Sequence, residues 1–108
     1  MEKIYNKLVR DNIPEIIISN GGKPFTRILD DSEYKFELEK KLYEEYQEVL
    51  DTTTSEERIE ELADMVEIIG ILARLAGKNL EDVLEVAKNK SNKRGGFEKK
   101  IFLEKVDE

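Results

Sequence analysis

Residues 60–70 read EELADMVEIIG, and the helix they predict continues through residues 71–76, ILARLA. From Ile68 onward the segment is apolar on nearly all sides, as in a helix that enters a protein core. Glu61 and Asp64 precede this part and lie on the same helical face as Ile68, because residues three and four apart are neighbours on a helix. Two carboxylates therefore stand where the spacing predicts hydrophobic side chains.

A second acidic pair occupies the equivalent place in the preceding predicted helix. Its apolar stripe comprises Leu38, Leu42 and Val49. Glu45 falls within this stripe at helical spacing, and Glu48 flanks it. Burying several carboxylates together costs several kcal/mol per ion, so a compensating group is expected. A divalent cation held between two helices would compensate. The alternative is a solvated Glu-rich face, and the spacing alone leaves both interpretations open.

The composition limits the chemistry of any such site. The chain has 108 residues, which is the size of one domain, and we assign residues 1–108 to it. It contains no Cys and no His, which excludes thiolate chemistry, zinc fingers and histidine acid–base catalysis. A metal would have to be held by oxygen atoms, which favours a hard cation such as Mg²⁺ or Mn²⁺.

Charge and hydropathy predict the surroundings of the protein. The net charge of −7 argues against nonspecific binding of DNA or RNA, which needs a basic surface. The first residues, MEKIYNKLVRDN, do not resemble a signal peptide. The longest apolar run falls well short of the ~20 residues that a membrane span needs. We therefore expect a cytoplasmic protein without a membrane partner.

Capping patterns place four helices. Pro14 opens a short helix, IPEIIISN, that Asn20-Gly21-Gly22 stops. The second helix is predicted over residues 33–50, with Asp31 or Ser32 as its N-cap. The third covers about residues 55–76, opened by a Thr54/Glu57 capping box and closed by Gly77. Asn79 caps the fourth, which runs to about Lys93.

Two further segments are predicted to be extended. Residues 23–29, KPFTRIL, are typical of a strand or an extended arm, and residues 97–106, FEKKIFLEKV, of a final strand-like segment. The predicted fold class is mostly α, of the four-helix-bundle type, with short extended N- and C-terminal segments.

The acidic motifs carry a resemblance to a known family. KLYEEYQEV (41–49) and EELADMVEII (60–69) resemble the E-x-x-E and E-x-x-D signature of the all-α nucleoside triphosphate (NTP) pyrophosphohydrolases. These include MazG-like enzymes, dimeric dUTPases and phosphoribosyl-ATP pyrophosphohydrolases. KLVRDNIPEII (7–17) and KNKSNKRGGFEKKIFL (88–103) resemble the MazG-like subgroup related to phosphoribosyl-ATP pyrophosphohydrolase, so the resemblance covers nearly the whole chain.

The resemblance implies an activity and a set of site residues. It implies Mg²⁺-dependent hydrolysis of a nucleoside triphosphate or related nucleotide between the α and β phosphates, giving a monophosphate and pyrophosphate. The implied Mg²⁺ ligands are Glu45, Glu48, Glu61 and Asp64. The implied substrate contacts are Lys88, Asn92 and Arg94. The alternative role of these last residues is to compensate the dipole at the end of a helix.

Two assignments within this site stay open. The nucleophile is expected to be water, and either Glu48 or Glu44 could act as its general base. Arg10 lies in the N-terminal motif and could help to close the substrate pocket. The interpretation favoured from the residues is a structural salt bridge around the turn at Pro14.

The central helices also predict assembly. The segment 62–75 is apolar on more than one face, and pairing two helical hairpins would bury both faces. We expect a homodimer or homotetramer that binds a nucleotide.

Two other functions remain open: phosphoribosyl-ATP pyrophosphohydrolase activity in histidine biosynthesis, and a non-catalytic helical module that dimerises and binds a partner protein.

Overall fold

The protein is mostly α-helical, as predicted. A computed structural model describes residues 1–107. It contains the helices α1 (Ile13–Ser19), α2 (Asp31–Leu50), α3 (Ser55–Leu75) and α4 (Leu80–Arg94), and no strand occurs within the described residues. The predicted mostly-α class with four helices is therefore confirmed. None of these helices is long and apolar enough to cross a membrane.

Helix α2 begins earlier than its capping pattern predicted. Asp30 is the N-cap, and its carboxylate Oδ1 accepts a hydrogen bond from the backbone N–H of Glu33 at 2.9 Å. The same oxygen accepts from the Ser32 hydroxyl at 3.0 Å. The prediction of Asp31 or Ser32 as the N-cap was wrong, because three neighbouring residues could all cap and Asp30 has the extended backbone that a cap requires.

The connection between α2 and α3 is short and strongly hydrogen-bonded. Thr54 caps α3 by accepting from the Glu57 backbone N–H at 3.1 Å, as predicted. The Glu57 carboxylate, however, accepts from the Thr53 backbone N–H at 3.3 Å rather than from Thr54. At the end of α2, the Val49 carbonyl accepts from the Thr52 hydroxyl at 2.7 Å and from the Arg58 guanidinium at 3.3 Å.

The turn between α3 and α4 follows the predicted pattern. Gly77 adopts φ +82°, and the backbone N–H groups of Gly77 and Lys78 donate to the carbonyls of Arg74 and Ala73 at 3.0 and 2.9 Å. A residue without Cβ is favoured at this left-handed position. Asn79 and Asp82 then form a reciprocal capping box at the start of α4. The chain therefore turns back on α3 without an intervening loop.

The core lies mainly between α2 and α3. These two helices pack against each other, α4 packs less extensively against α3, and α1 contacts no other helix. The buried hydrophobic side chains are Leu38, Val49, Ile68 and Ala73. The molecule is elongated, with extents of 62 × 36 × 25 Å. The hairpin of α2 and α3 is thus the part of the fold that positions a site.

The two segments predicted to be strand-like form no strand. Residues 23–29 adopt no regular secondary structure, which excludes the strand among the two forms predicted for them. Residues 97–106 begin with a turn, in which the Lys100 backbone N–H donates to the Phe97 carbonyl at 3.2 Å. The strand-like prediction for residues 97–106 was wrong, because no neighbouring strand within the described residues offers a ladder of hydrogen bonds.

Candidate metal centre

Glu45 is the buried charged side chain at the centre of the predicted stripe. It lies on α2 between the buried residues Leu38 and Val49, and only 6% of its surface is exposed. Its Oε2 atom is fully buried and accepts no hydrogen bond. Lys41, one turn earlier on α2, places its Nζ atom 3.9 Å from Glu45 Oε1. A carboxylate with one oxygen unpartnered in a core is costly, so this site calls for a positively charged ligand or a proton.

Helix α3 brings two further carboxylates to Glu45. Glu61 is half-buried, and its Oε2 atom is also buried without a hydrogen-bond partner. Asp64 lies one turn later on the same helix. Glu45, Glu61 and Asp64 each offer one oxygen atom, and these oxygens lie within 4.8 Å of one another. The structure therefore brings together three of the four carboxylates that the sequence nominated as metal ligands.

Burial and neighbouring carboxyl groups raise the pKa of two members of this carboxylate cluster (Glu45, Glu61 and Asp64), namely Glu45 and Glu61. Burial raises the pKa of Glu45 to about 7, and the neighbouring Glu48 carboxyl adds to the shift. The neighbouring Glu48 carboxyl raises the pKa of Glu61 as well, followed by partial burial, while the Glu45 carboxyl offsets part of the shift. Glu45 and Glu61 therefore hold protons more tightly than separate carboxyl groups would.

Glu48 and Glu44 occupy different positions relative to the cluster. Glu48 is exposed and lies outside the group of three, but its carboxyl is close enough to raise the pKa values of Glu45 and Glu61. Glu44 immediately precedes Glu45 on α2 and is half-buried. Glu48 is thus an exposed carboxylate that adjoins the cluster.

Arg10 reaches the cluster from the N-terminal segment. Its Nη2 atom donates to Asp64 Oδ1 at 2.7 Å, and its Nη1 atom lies 4.0 Å from a Glu67 carboxylate oxygen. The hydrogen bond to Asp64 raises the pKa of the Arg10 guanidinium, which stays positively charged. Arg10 does form a salt bridge, but the prediction that placed this salt bridge around the Pro14 turn was wrong, because the partner lies 54 residues away on α3.

The predicted substrate contacts lie on the surface of α4. Lys88, Asn92 and Arg94 are all exposed, with Arg94 in the last turn of the helix. None of the three forms a hydrogen bond or ion pair with the side chains of residues 1–107. Their donors are therefore free to bind an external anion, and no contact joins them to the carboxylate cluster.

A shallow groove opens beside the cluster, at the end of the helical hairpin. Its volume is about 330 Å³. It is lined by Glu48, Asp51, Thr52, Glu57, Glu60 and Glu61. Because Glu48 and Glu61 form part of its wall, the groove connects the cluster with solvent. A phosphate group could enter such an acidic groove only with compensating positive charge.

The donor set fits a hard divalent cation. Every candidate ligand atom is a carboxylate oxygen, which Mg²⁺ and Mn²⁺ prefer. Acidic clusters are common on protein surfaces, but in this cluster Glu45 is buried. In addition, the Oε2 atoms of Glu45 and Glu61 are buried and have no hydrogen-bond donor. A cation held by the Glu45 and Glu61 carboxylates would supply a positive partner for these two side chains.

Comparison with known proteins adds one partial relative. No family model matches the chain, and no solved structure matches it. A protein of Mycolicibacterium smegmatis, described only as uncharacterized, is 43% identical over 54 residues. The match covers 50% of this chain and 55% of the relative, so the chain spans about half the length of the relative that it matches.

Proposed function

We propose that this protein is a divalent-cation-dependent hydrolase of nucleoside triphosphates or related nucleotides, as the resemblance to MazG-like pyrophosphohydrolases implies. The cut would fall between the α and β phosphates and yield a monophosphate and pyrophosphate. The observation that carries the proposal is the buried, unpartnered Oε2 of Glu45 beside the carboxylates of Glu61 and Asp64. An interaction surface alone would need no such group at a core position.

In this proposal Glu45, Glu61 and Asp64 hold the cation, with Glu48 as a fourth ligand or as a neighbour. Mg²⁺ is the expected ion, and Mn²⁺ has the same preference for oxygen ligands. When bound, the ion would neutralise the carboxylates and polarise phosphate oxygens. The α2–α3 hairpin contributes by holding the ligand oxygens within 4.8 Å of one another.

Glu48 is the proposed general base, in preference to Glu44. Hydrolysis forms a bond from a water oxygen to phosphorus, breaks the phosphoanhydride bond, and transfers a proton from the water to a carboxylate. Glu48 is open to water and adjoins both Glu45 and Glu61, whereas the Glu44 carboxyl makes no comparable contribution to their pKa values. These features support Glu48 as the proton acceptor.

Side-chain hydrogen-bond donors outside the cluster are proposed to bind the phosphate chain. Lys88, Asn92 and Arg94 carry exposed, uncommitted donors on α4. A guanidinium can bind two phosphate oxygens at once, which suits Arg94. Arg10, beside Asp64, is a further candidate because its side chain is 62% exposed at the edge of the cluster.

A homodimer or homotetramer is part of the same proposal. Ile59, Leu62 and Val66 recur at helical spacing along α3, and their surfaces remain 65%, 40% and 47% exposed. With few buried hydrophobic residues in the single chain, a second copy packed on this face would enlarge the core. The same stripe supports the alternative function, a helical module that binds a partner protein. A cytoplasmic location stays a prediction from composition.

A nucleotide panel tests the proposal. Pyrophosphate release would be measured with standard and noncanonical nucleoside triphosphates and with phosphoribosyl-ATP, each with Mg²⁺, with Mn²⁺ and with a chelator. Cation-dependent release from a triphosphate supports the leading proposal, and activity confined to phosphoribosyl-ATP supports the biosynthetic alternative. Failure to bind Mg²⁺ or Mn²⁺ in calorimetry, with no release from any substrate, would favour the interaction module.

A further inference from the structure

One residue, Arg10, ties the N-terminal segment, residues 1–12, to the helical hairpin through its ion pairs. Helix α1, which follows the segment, contacts no other helix. Within residues 1–107, the side-chain hydrogen bonds and ion pairs that leave the segment are those of Arg10 with Asp64 and Glu67. Leu8 and Val9, which precede Arg10, are half-buried. The position of the segment therefore depends on Arg10 and a small apolar contact.

The partner of Arg10 is also a member of the carboxylate cluster. Asp64 Oδ1 accepts from the guanidinium at 2.7 Å, while Asp64 offers an oxygen within 4.8 Å of Glu45 and Glu61 oxygens. A guanidinium and a divalent cation on one carboxylate repel each other at short range. The Asp64 side chain is only 36% exposed, so solvent screens this repulsion incompletely.

We propose that Arg10 and the divalent cation compete for Asp64, so that cation binding detaches Arg10 from α3 and loosens the N-terminal segment. The inference rests on the proposed cation site. With Asp64 engaged by a cation, the released Arg10 guanidinium would have all its donors free for an anionic ligand. Arg10 would thereby couple the N-terminal segment to the state of the cluster.

Metal affinity provides the first test. Calorimetric titration with Mn²⁺ alone, at low ionic strength, would compare the full chain with its Arg10→Gln variant. Removing the competitor is expected to tighten Mn²⁺ binding about fivefold, the scale of one partly exposed ion pair. Arg27→Gln is the matched control, because it removes the same charge and a similar exposed pair, Arg27 with Glu33 at 2.9 Å, outside the cluster. It should leave the affinity unchanged.

Release of the segment provides the second test. A lysine-specific endoprotease would be used to follow cleavage after Lys7, a site present in every variant. In the wild-type chain Mn²⁺ is expected to accelerate this cleavage about threefold, because the segment spends less time on α3. In Arg10→Gln the cleavage should be rapid with or without Mn²⁺. Cleavage within α2 and α3 is monitored in parallel, to separate release of the segment from global unfolding.

The outcomes separate this inference from the proposed function. If the wild-type chain binds Mn²⁺ but Arg10→Gln binds it equally or more weakly, the competition is refuted and the cation site stands. An equal gain in Arg27→Gln would also refute it, since general charge would then explain the effect. If the wild-type chain binds no cation, both proposals fail. The competition is supported if Arg10→Gln binds Mn²⁺ more tightly and its cleavage after Lys7 is rapid and no longer depends on Mn²⁺.

Discussion

Glu45 of α2 and Glu61 of α3 face each other across the helical hairpin, each with one carboxylate oxygen that is buried and accepts no hydrogen bond. Two such groups on neighbouring helices repel each other unless a proton or a cation lies between them. Burial, followed by the neighbouring Glu48 carboxyl, raises the pKa of Glu45 to about 7, which favours a proton at this position. The proposed Mg²⁺ would relieve the repulsion in the second way, and the proton and the cation must compete for the same carboxylates.

Substitution within the cluster should separate metal binding from folding. We expect Glu61→Gln and Asp64→Asn to abolish turnover and the rise in melting temperature on addition of Mg²⁺, because each removes a ligand charge. Without Mg²⁺ Glu61→Gln should melt at or above the wild-type temperature, since it relieves repulsion. Thermal melts with and without Mg²⁺ provide the measurement. Glu39→Gln, at an exposed position of α2, is the control and should keep the full Mg²⁺ response.

Stability should fall as pH rises through the pKa of Glu45. The native state holds this proton up to about pH 7, whereas the unfolded chain releases it near pH 4.5, so the unfolded state binds fewer protons in this window. The free energy of unfolding is then expected to fall by about 1–3 kcal/mol between these pH values. Urea denaturation at several pH values checks this. Glu45→Gln should flatten the profile, and a flat wild-type profile would contradict the assignment.

Mg²⁺ should reverse this dependence on pH. Because the cation binds deprotonated carboxylates, its stabilising effect is expected to increase from pH 6 to pH 8 as Glu45 loses its proton. The measurement is the shift in melting temperature at saturating Mg²⁺ at each pH. An equal shift at both pH values would show that Glu45 is not a ligand whose proton the cation displaces.

Glu48→Gln should lower turnover while retaining cation binding. Loss of a general base typically costs about 100-fold to 10,000-fold in rate. If Glu48 is instead an essential ligand, the Mg²⁺-dependent rise in melting temperature will disappear with the activity. Glu44→Gln is the matched variant one helical turn earlier, and it should reduce turnover much less. Equal losses in both variants would leave the preference for Glu48 wrong.

Arg94→Gln distinguishes phosphate binding from a role at the helix end. If Arg94 contacts the phosphate chain, KM is expected to rise about tenfold with little change in kcat or in Mg²⁺ affinity. If it only compensates the helix dipole, KM will be unchanged and the melting temperature slightly lower. Steady-state kinetics and a thermal melt together decide this. Lys90→Gln, exposed on the same helix, serves as the control for loss of charge.

Assembly can be tested on the exposed stripe of α3. Val66→Glu places a charge among Ile59 and Leu62 and should shift the mass measured by light scattering toward that of one chain. Gln47→Glu adds the same charge at an exposed polar position of α2 and should leave the mass unchanged. A wild-type mass of one chain at micromolar concentration would refute the dimer or tetramer.

Local patterns predicted the four helices, but they left both a buried and a solvated position open for Glu45. The structure buries Glu45 together with Leu38 and Val49, while Leu42 of the same stripe is half-buried. The N-cap of α2 was misplaced because adjacent Asp and Ser residues compete for the same backbone donors. The strand-like prediction for residues 97–106 failed because β-propensity depends on a partner strand, which sequence composition does not report.

The contact between Arg10 and Asp64 lay beyond such patterns. The two residues are 54 positions apart, and no periodicity links an irregular segment to a helical face. Arg10 was identified as a candidate because it lies in a segment, residues 7–17, that resembles the MazG-like subgroup. That resemblance did not identify its partner. Contacts of this kind depend on the path of the whole chain. They are found only once the helices are placed in three dimensions.

The hydrogen bonds to the Val49 carbonyl bear on how far the site would rearrange on cation binding. Thr52 and Arg58 both donate to this single oxygen, so the end of α2 and the start of α3 are pinned together. The side chains of the carboxylate cluster are therefore held near one another before a cation binds. Little conformational entropy of the hairpin would remain to be lost on cation binding, so the rearrangement that accompanies binding would be confined to Arg10 and the N-terminal segment.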